Sequence, residues 1–163
     1  MPRLISMITI IAVLAIGCGL VGGDVDKPTM TQAQALTRVE QLINGTVAAL
    51  TPKPRLELDR PSLNLKKCLN PTDGGSEERV IVDRGYYLRD IPGEKIGEVA
   101  RQIKEYWQRQ RYSIEGISKN GLNLTAHSKP DDFLLALGRT GDDVLLLGVS
   151  SPCVWPNGTP KSS

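Results

Sequence analysis

Aromatic residues and histidine are scarce in this chain of 163 residues. Phe, Trp and Tyr together make up 4% of the sequence, and His127 is its single histidine. Charges of opposite sign nearly balance, with 20 basic and 18 acidic residues. Proteins that bind nucleic acids normally carry a concentrated basic surface, so the composition argues against a nucleic-acid partner.

The sequence motifs of common enzymes are also missing. Phosphate-binding loops, the HExxH zinc motif and the GxSxG nucleophile motif do not occur. His127 is predicted to be an exposed turn residue, and Ser128 beside it should point to the opposite side, so the two form no nucleophile–base pair. The acidic pairs at 131–132 and 142–143 are predicted to lie in hairpin turns and are too few for a calcium site. We expect no catalytic residues, no metal and no cofactor.

The first residues have the composition of an export signal. Arg3 is the only charged residue before Asp24, and residues 4–16 are apolar apart from two hydroxyl residues. One basic residue followed by an apolar stretch and a small residue is typical of a secretory signal peptide. A plain signal peptide or an uncleaved anchor helix is the alternative, because residues 4–23 hold no charge and 18 or more such residues can span a bilayer.

Cys18 stands where this apolar stretch ends, in the sequence AIGC. The segment resembles the lipobox of bacterial lipoproteins, with Gly17 at the small-residue position and Ala15 where the lipobox prefers leucine. The resemblance implies a diacylglyceryl group on the Cys18 thiol and cleavage after Gly17. The mature chain would then be held at the outer face of the cell membrane.

Three cysteines leave an odd thiol in an exported protein. If Cys18 carries lipid, Cys68 and Cys153 remain as a pair, and the oxidising environment outside the cytoplasm favours a disulfide between them. A structural zinc site needs four ligands, which these two cysteines and His127 do not supply. We therefore predict a Cys68–Cys153 disulfide, with two free thiols as the alternative.

The mature chain shows two helical patterns with strand patterns around them. Thr29 and Thr31 each precede a glutamine at the capping-box spacing, ahead of a helix that continues to about Leu50. Residues 56–70 read as an edge or irregular segment around a proline, and residues 79–90 as a strand with a possible bulge at Gly85. The second helix is predicted within residues 91–111.

Four strand-length runs, YSIEGIS, LNLTAH, FLLALGR and VLLLGVS, follow the second helix. Asn120-Gly121 predicts a hairpin turn in which both residues accept positive φ, and the first two runs alternate as strands with one wet face. The last two runs are almost wholly apolar and are expected to be more deeply buried. The expected fold is α+β: two helices packed on one face of a mostly antiparallel sheet of about five strands, in the order helix, strand, helix, four-strand meander.

The predicted boundaries are a signal peptide over residues 1–17, lipidated Cys18 with a tether over 18–28, one domain over 29–155, and a disordered tail over 156–163. Trp107 lies on the apolar stripe of the second helix, which predicts core packing. The candidate binding surface comprises Tyr86, Tyr87 and Trp155, since tyrosine and tryptophan are enriched at interfaces. Packing in the core, and for Trp155 against the disulfide, is the favoured interpretation, and the binding surface applies where these side chains are exposed.

The lipobox cysteine, a first helix, Cys68 ahead of the sheet and a last strand that ends in SPCVWP together resemble actinobacterial envelope lipoproteins of uncharacterised function, of the mycobacterial LppA type. The resemblance implies attachment to the outer face of the membrane and assigns no activity. We expect a monomeric, non-enzymatic lipoprotein that binds a protein or another envelope component. A carrier of a small apolar ligand between helix and sheet is the second hypothesis, and an enzyme that uses Asp and Tyr groups is the third.

Overall fold

The computed structural model describes residues 27–68, 78–141 and 143–160. Signal segment, Cys18 and most of the tether therefore lie outside the described residues. The fold is α+β, as predicted, with two α-helices, one six-stranded sheet and one two-stranded sheet. The helices are α1 (Gln32–Ala48) and α2 (Ile96–Arg109). The strands are β1 (Arg55–Leu58), β2 (Lys66–Lys67), β3 (Val80–Ile81), β4 (Asp83–Arg89), β5 (Ser113–Ile117), β6 (Leu124–His127), β7 (Leu134–Arg139) and β8 (Leu145–Ser150).

The large sheet has the strand order β1-β4-β8-β7-β6-β5, and all neighbouring strands are antiparallel. Strands β5 to β8 follow one another as hairpins, and β8 then pairs with β4, far earlier in the chain. Strands β2 and β3 form the separate two-stranded sheet. The single strand predicted over residues 79–90 is divided into β3 and β4. The edge or irregular segment predicted over residues 56–70 contains most of β1 and all of β2, which the predicted element order omits.

Helix α1 begins at a capping box formed by Thr31. The backbone N–H of Gln34 donates to Thr31 Oγ1 (3.2 Å), and the backbone N–H of Thr31 donates to Gln34 Oε1 (2.8 Å). Of the two threonines with the right spacing, Thr31 is thus the cap. The residues of α1 that face the sheet are buried: Ala35, Val39, Leu42, Ile43, Thr46 and Val47.

Helix α2 follows a short 3-10 helix (Gly93–Lys95) and presents the predicted apolar stripe to the core. Its buried residues are Ile96, Val99, Ala100, Ile103 and Trp107. The indole N–H of Trp107 donates to Thr46 Oγ1 (3.1 Å), which satisfies a buried donor and links the two helices. The core role predicted for Trp107 is confirmed.

The helices cover one face of the sheet and leave the other face uncovered. Alternate residues of β7 and β8 point into the core and are at most 2% exposed: Leu135, Leu137, Leu145, Leu147 and Val149. Their neighbours in sequence point away from the helices, and Leu134 among them is 37% exposed. Strands β7 and β8 are more deeply buried than β5 and β6, as predicted, although the single layer of helices covers only one of their faces.

Two local expectations in the strands also differ from the structure. Gly85 lies in regular register opposite Gly148, and the bulge occurs instead in β5, between Ile114 and Gly116. In the turn between β5 and β6, Gly121 has a positive φ of 71°, whereas Asn120 does not. The loop is wider than a two-residue turn, since Ser118 N–H donates to Asn123 O.

The domain extends past the predicted boundary at residue 155. The backbone N–H of Thr29 donates to Gly158 O (2.8 Å), and that of Gln32 donates to Pro156 O (3.1 Å). Both ends of the domain therefore meet at the start of α1. Within the three described ranges, no helix is long and apolar enough to cross a membrane.

Candidate functional site

A row of small residues crosses the uncovered face of the sheet. These residues lie directly opposite one another on five neighbouring strands: Gly85, Gly148, Ala136, Thr125 and Gly116. Because their side chains are short, the surface is lower along this row than on either side. Four strand spacings of about 4.8 Å make the row roughly 19 Å long. The row is the floor of a groove.

Leucines form the sides of this groove. Leu146 stands on one side with Gly138 opposite it, and Leu134 stands on the other side with Ser150 opposite it. These residues flank the floor because they are two positions away from it along β7 and β8, where side chains return to the same face. The groove is therefore apolar along most of its length.

One end of the groove is closed by a 3-10 helix, and the other lies at the edge of the sheet. At one end a 3-10 helix (Arg60–Leu63) is fixed over Gly85, since Asp59 N–H donates to Gly85 O and Gly85 N–H donates to Ser62 Oγ, both at 2.9 Å. At the other end lies β5, the edge strand of the sheet, where the groove opens to solvent. The groove has a volume of about 540 Å³, which lies in the range of small-molecule sites.

Gly148 is not required by the local packing. A Cβ atom at this position would meet only the carbonyl oxygen of Arg84, at 3.8 Å. Glycine in a strand interior lowers stability by roughly 0.5–1 kcal/mol relative to alanine. By contrast, a Cβ at Gly116 would lie 2.6 Å from Thr125 Oγ1, so packing excludes a side chain there. Glycine at position 148 therefore keeps the groove floor open and makes the protein less stable than alanine would at this position.

The end of the groove near the 3-10 helix is charged. Asp83 lies here on β4, with its side chain 7% exposed, and its Oδ2 is 2.6 Å from the ammonium of Lys66. The Lys66 side chain is 63% exposed. Within the described part of the chain, neither carboxylate oxygen of Asp83 accepts a hydrogen bond of regular geometry. A second carboxylate, that of Asp59, lines the same end.

The predicted disulfide between Cys68 and Cys153 is present, with a Cα–Cα distance of 5.7 Å. Cys68 directly follows β2, the strand that carries Lys66, and its N–H donates to Arg79 O. Cys153 follows β8, one of the two central strands of the six-stranded sheet. The disulfide therefore fastens the strand with Lys66 to the end of the sheet that holds Asp83.

Tyr86 and Tyr87 lie on opposite faces of the sheet, as their adjacency predicts. The hydroxyl of Tyr86 donates to Glu40 of α1 (3.0 Å), and burial together with this carboxylate raises the pKa of Tyr86. The hydroxyl of Tyr87 lies on the uncovered face, 3.4 Å from Asp59 Oδ1, and the guanidinium of Arg89 is 4.9 Å from its ring centre. Only Tyr87 is near the groove.

Trp155 is buried, with 3% of its surface exposed. Its indole N–H donates to Lys27 O (3.2 Å), and its backbone N–H donates to Thr29 Oγ1 (2.9 Å). Trp155 therefore fixes the position of the first described residues of the chain. The three aromatic residues of the candidate binding surface, Tyr86, Tyr87 and Trp155, are not brought together on one exposed surface.

His127 is a half-buried residue at the end of β6 and not an exposed turn residue. Its Nδ1 is 3.0 Å from Asp132 Oδ1, and its Nε2 is 3.5 Å from Glu115 Oε2, because strand pairing with β5 brings Glu115 close. Ser128 is fully buried, and its hydroxyl donates to Asp131 (2.6 Å). The two side chains diverge, as predicted.

Asp131 joins the turn after β6 to helix α1. Burial by itself raises the pKa of Asp131, but hydrogen bonds from Arg38 of α1 and from Ser128 lower it below its ordinary value. Through these two hydrogen bonds, Asp131 connects the sheet to helix α1. Asp142, from the second acidic pair, lies outside the described residues, and among those described no group of His, Cys, Asp or Glu could hold a metal ion.

No protein-family model, curated protein or solved structure matches this chain. The groove is therefore interpreted from its own residues. A sequence signal for it exists in the glycines and alanine at alternate positions of the predicted strands, but their alignment depends on how the strands pair.

Proposed function

We propose that this chain is a membrane-anchored, extracytoplasmic lipoprotein that binds a small apolar ligand in the groove on the uncovered sheet face, without catalysing a reaction. The observation that carries the proposal is Gly148, which keeps the groove floor open although a side chain would fit there. A surface that served only folding would gain stability from a larger residue at this position.

The shape of the groove favours a small molecule over a folded protein partner. One end is closed by the 3-10 helix, and a volume of about 540 Å³ suits a small molecule. The aromatic surface that a protein partner would use is missing its strongest member, since Trp155 is buried. Of the two binding hypotheses, a protein partner and a small apolar ligand, we therefore adopt the second. The proposed site lies on the uncovered face of the sheet and not between helix and sheet.

The polar groups in the groove are better suited to binding than to catalysis. Ser62 is held in the structure, because its hydroxyl donates to Asp59 O (2.5 Å) and accepts from Gly85 N–H. No histidine or cysteine is found among the described residues that line the groove, so the serine has no neighbouring base of the usual kind.

The proposed location rests on Cys18 and on the disulfide. The Cys68–Cys153 bond supports an oxidising compartment outside the cytoplasm. Lipid on Cys18 would hold the domain close to the membrane, because the chain from Cys18 to Lys27 spans at most roughly 30 Å when fully extended. We expect the anchored protein to be a monomer.

Binding in the groove is tested by filling it. The neutral fluorescent probe N-phenyl-1-naphthylamine is titrated into the full chain, into Gly148→Leu and into Gly97→Leu. The first variant places a leucine on the groove floor, whereas Gly97 is an exposed position of α2 with open space around it. We expect Gly148→Leu to weaken probe binding by about tenfold or more, since it removes the apolar volume that the probe would occupy. Equal probe affinities for both variants would contradict the proposal.

Lipid attachment is tested at Cys18. Mass spectrometry of the mature protein should show an N-terminal Cys18 with a diacylglyceryl group, and the protein should sediment with membranes. The Cys18→Ala variant should lose the modification. An intact Met1, or an unmodified Cys18 in the wild-type protein, would refute the anchor and leave the groove proposal standing.

A further inference from the structure

We infer that the groove selects ligands with a positively charged head group, an ammonium on an apolar chain, and that this head group replaces the Lys66 ammonium beside Asp83. The inference rests on the proposed function, since it needs a ligand in the groove. It adds the charge of the ligand and the position of its head group.

The charged groups that face the groove leave an excess of negative charge. Asp59 and Asp83 line the charged end, and Lys66 is the ammonium that lies there with them. The guanidinium of Arg84 donates to the backbone carbonyl of Asp83 (2.7 Å), but its charge is offset by Glu40 of α1 on the helix-covered side (3.5 Å). Two carboxylates and one ammonium give the groove end a net charge of −1, which complements a cation.

Asp83 is also poorly satisfied for a buried carboxylate. An ionised carboxylate has about four acceptor sites, and a buried one normally receives several hydrogen bonds. Asp83 is almost completely buried, yet among the described residues its only charged contact is Lys66, and neither of its oxygens accepts a hydrogen bond of regular geometry. The site therefore has unused capacity for N–H donors.

The lysine that covers Asp83 is easily displaced. Most of the Lys66 side chain is in solvent, and β2 contains only two residues. Holding the long Lys66 side chain beside Asp83 costs conformational freedom, and its exposed ammonium can return to water. A ligand whose apolar chain lies on the floor from Gly148 to Gly116 can bring its own ammonium to Asp83, so the buried carboxylate stays paired while Lys66 swings into solvent.

A ligand with an anionic head group is the opposite case. Its charge could pair with Lys66, but it would then lie beside the carboxylates of Asp59 and Asp83. Like charges this close are unfavourable, particularly where apolar walls limit the access of water. The same groove end should therefore discriminate between head groups of opposite sign.

The test compares three ligands that share one apolar chain: n-octylammonium, n-octanol and n-octanoate. Each is titrated into the full chain by isothermal titration calorimetry at neutral pH and low salt. We expect n-octylammonium to bind about tenfold more tightly than n-octanol, and n-octanoate to bind most weakly, as one favourable or unfavourable charge contact predicts.

Two variants change the charge at this end in opposite directions. Lys66→Gln removes the competing ammonium and should raise the affinity for n-octylammonium several-fold, with little change for n-octanol. Asp83→Asn should abolish the preference for the ammonium. Lys66→Gln keeps the test valid if Asp83→Asn does not fold, since Lys66 is exposed.

The outcomes separate this inference from the proposed function. If n-octanoate binds as well as n-octylammonium, or if Lys66→Gln weakens binding of the ammonium, the charge selection is refuted while binding in the groove stands. If none of the three ligands binds and Gly148→Leu changes nothing, the groove itself is not the site, and both proposals fail.

Discussion

The two faces of the sheet are built from the same strands but with different residues. On the helix-covered face, β8 contributes Leu145, Leu147 and Val149, all almost fully buried. On the uncovered face, the same strand contributes Leu146, Gly148 and Ser150. Along β8, the large aliphatic side chains of the covered face thus alternate with the residues of the uncovered face. Gly148 and Ser150 are small, and this leaves a groove.

This difference separates stability from binding along a single strand. Burial of large side chains on the covered face supplies the free energy of folding, since each buried leucine contributes about 1.5–3 kcal/mol. The uncovered face adds little to that free energy and retains glycine where a side chain would fit. Substitutions on one face should therefore affect folding, and substitutions on the other should affect the groove.

The largest effect is expected from the disulfide, which holds the charged end of the uncovered face in place. The double variant Cys68→Ser/Cys153→Ser opens a loop closed over a sequence separation of 85 and should lower the free energy of unfolding by about 4 kcal/mol, mainly by freeing the unfolded chain. Urea unfolding measures this change. The reduced wild-type protein is the control and should match the variant. A change below 1 kcal/mol would mean that the loop is restrained by other contacts.

A matched pair of leucines tests the comparison of the faces directly. Leu147→Ala removes a fully buried side chain and should cost about 3 kcal/mol, because it leaves a cavity under the helices. Leu146→Ala, the next residue on the opposite face, should cost about 1 kcal/mol or less, since its side chain already borders solvent. Thermal or urea unfolding of both variants provides the comparison. Similar costs would show that the uncovered face is also part of the folding core.

The covered face could be predicted from the sequence because its signals are local. The stripe from Ile96 to Trp107 repeats at helical spacing, and the Thr31 capping box needs only four residues. The pairing of Cys68 with Cys153 followed from the number of cysteines once Cys18 was set aside. None of these inferences requires knowledge of which strands are neighbours.

The groove could not be predicted because it depends on strand pairing between distant segments. Gly85 becomes part of the floor only when β4 pairs with β8, and Gly116 lies opposite Thr125 only because an unpredicted bulge shifts the register of β5. The position of Trp155 has the same origin, since its partners Lys27 and Thr29 are at the other end of the domain. The adjacent prolines and Cys153 predicted packing against the disulfide, but the contacts of Trp155 with the other end of the domain have no local signal in the sequence.

A smaller effect is expected from Asp131, which links the sheet to α1 at the side of the covered face. Asp131→Asn should lower the free energy of unfolding by about 1–2 kcal/mol at neutral pH, because it weakens the charged hydrogen bond from Arg38. The folded-state pKa of Asp131 lies below its ordinary value of 3.8, so this stabilisation is fully present above that pH. It is lost as the pH falls through the folded-state pKa. Urea unfolding between pH 2 and 7 should show the two proteins converging in acid, and a constant difference would exclude the ion pair as its cause.

The smallest change in stability has the opposite sign and concerns Gly148 on the uncovered face. Gly148→Ala should raise the free energy of unfolding by about 0.5–1 kcal/mol, because alanine restricts the unfolded chain and its Cβ meets no close atom in the strand. Binding of the neutral probe should weaken at the same time, since the methyl group lies on the groove floor. Gly97→Ala in α2 is the control: it should also stabilise the protein, by about 1 kcal/mol, and leave probe binding unchanged.

The sign of the Gly148→Ala effect decides between two reasons for the glycine. If the protein becomes more stable and binds less probe, glycine at 148 serves the groove at the expense of folding. If the protein becomes less stable, the backbone at 148 needs glycine for its own conformation, and the open floor follows from folding alone. Because Leu147 and Gly148 are neighbours in β8 and point to opposite faces, loss of stability from Leu147→Ala and gain from Gly148→Ala would show that function and folding are divided between alternate residues of one strand.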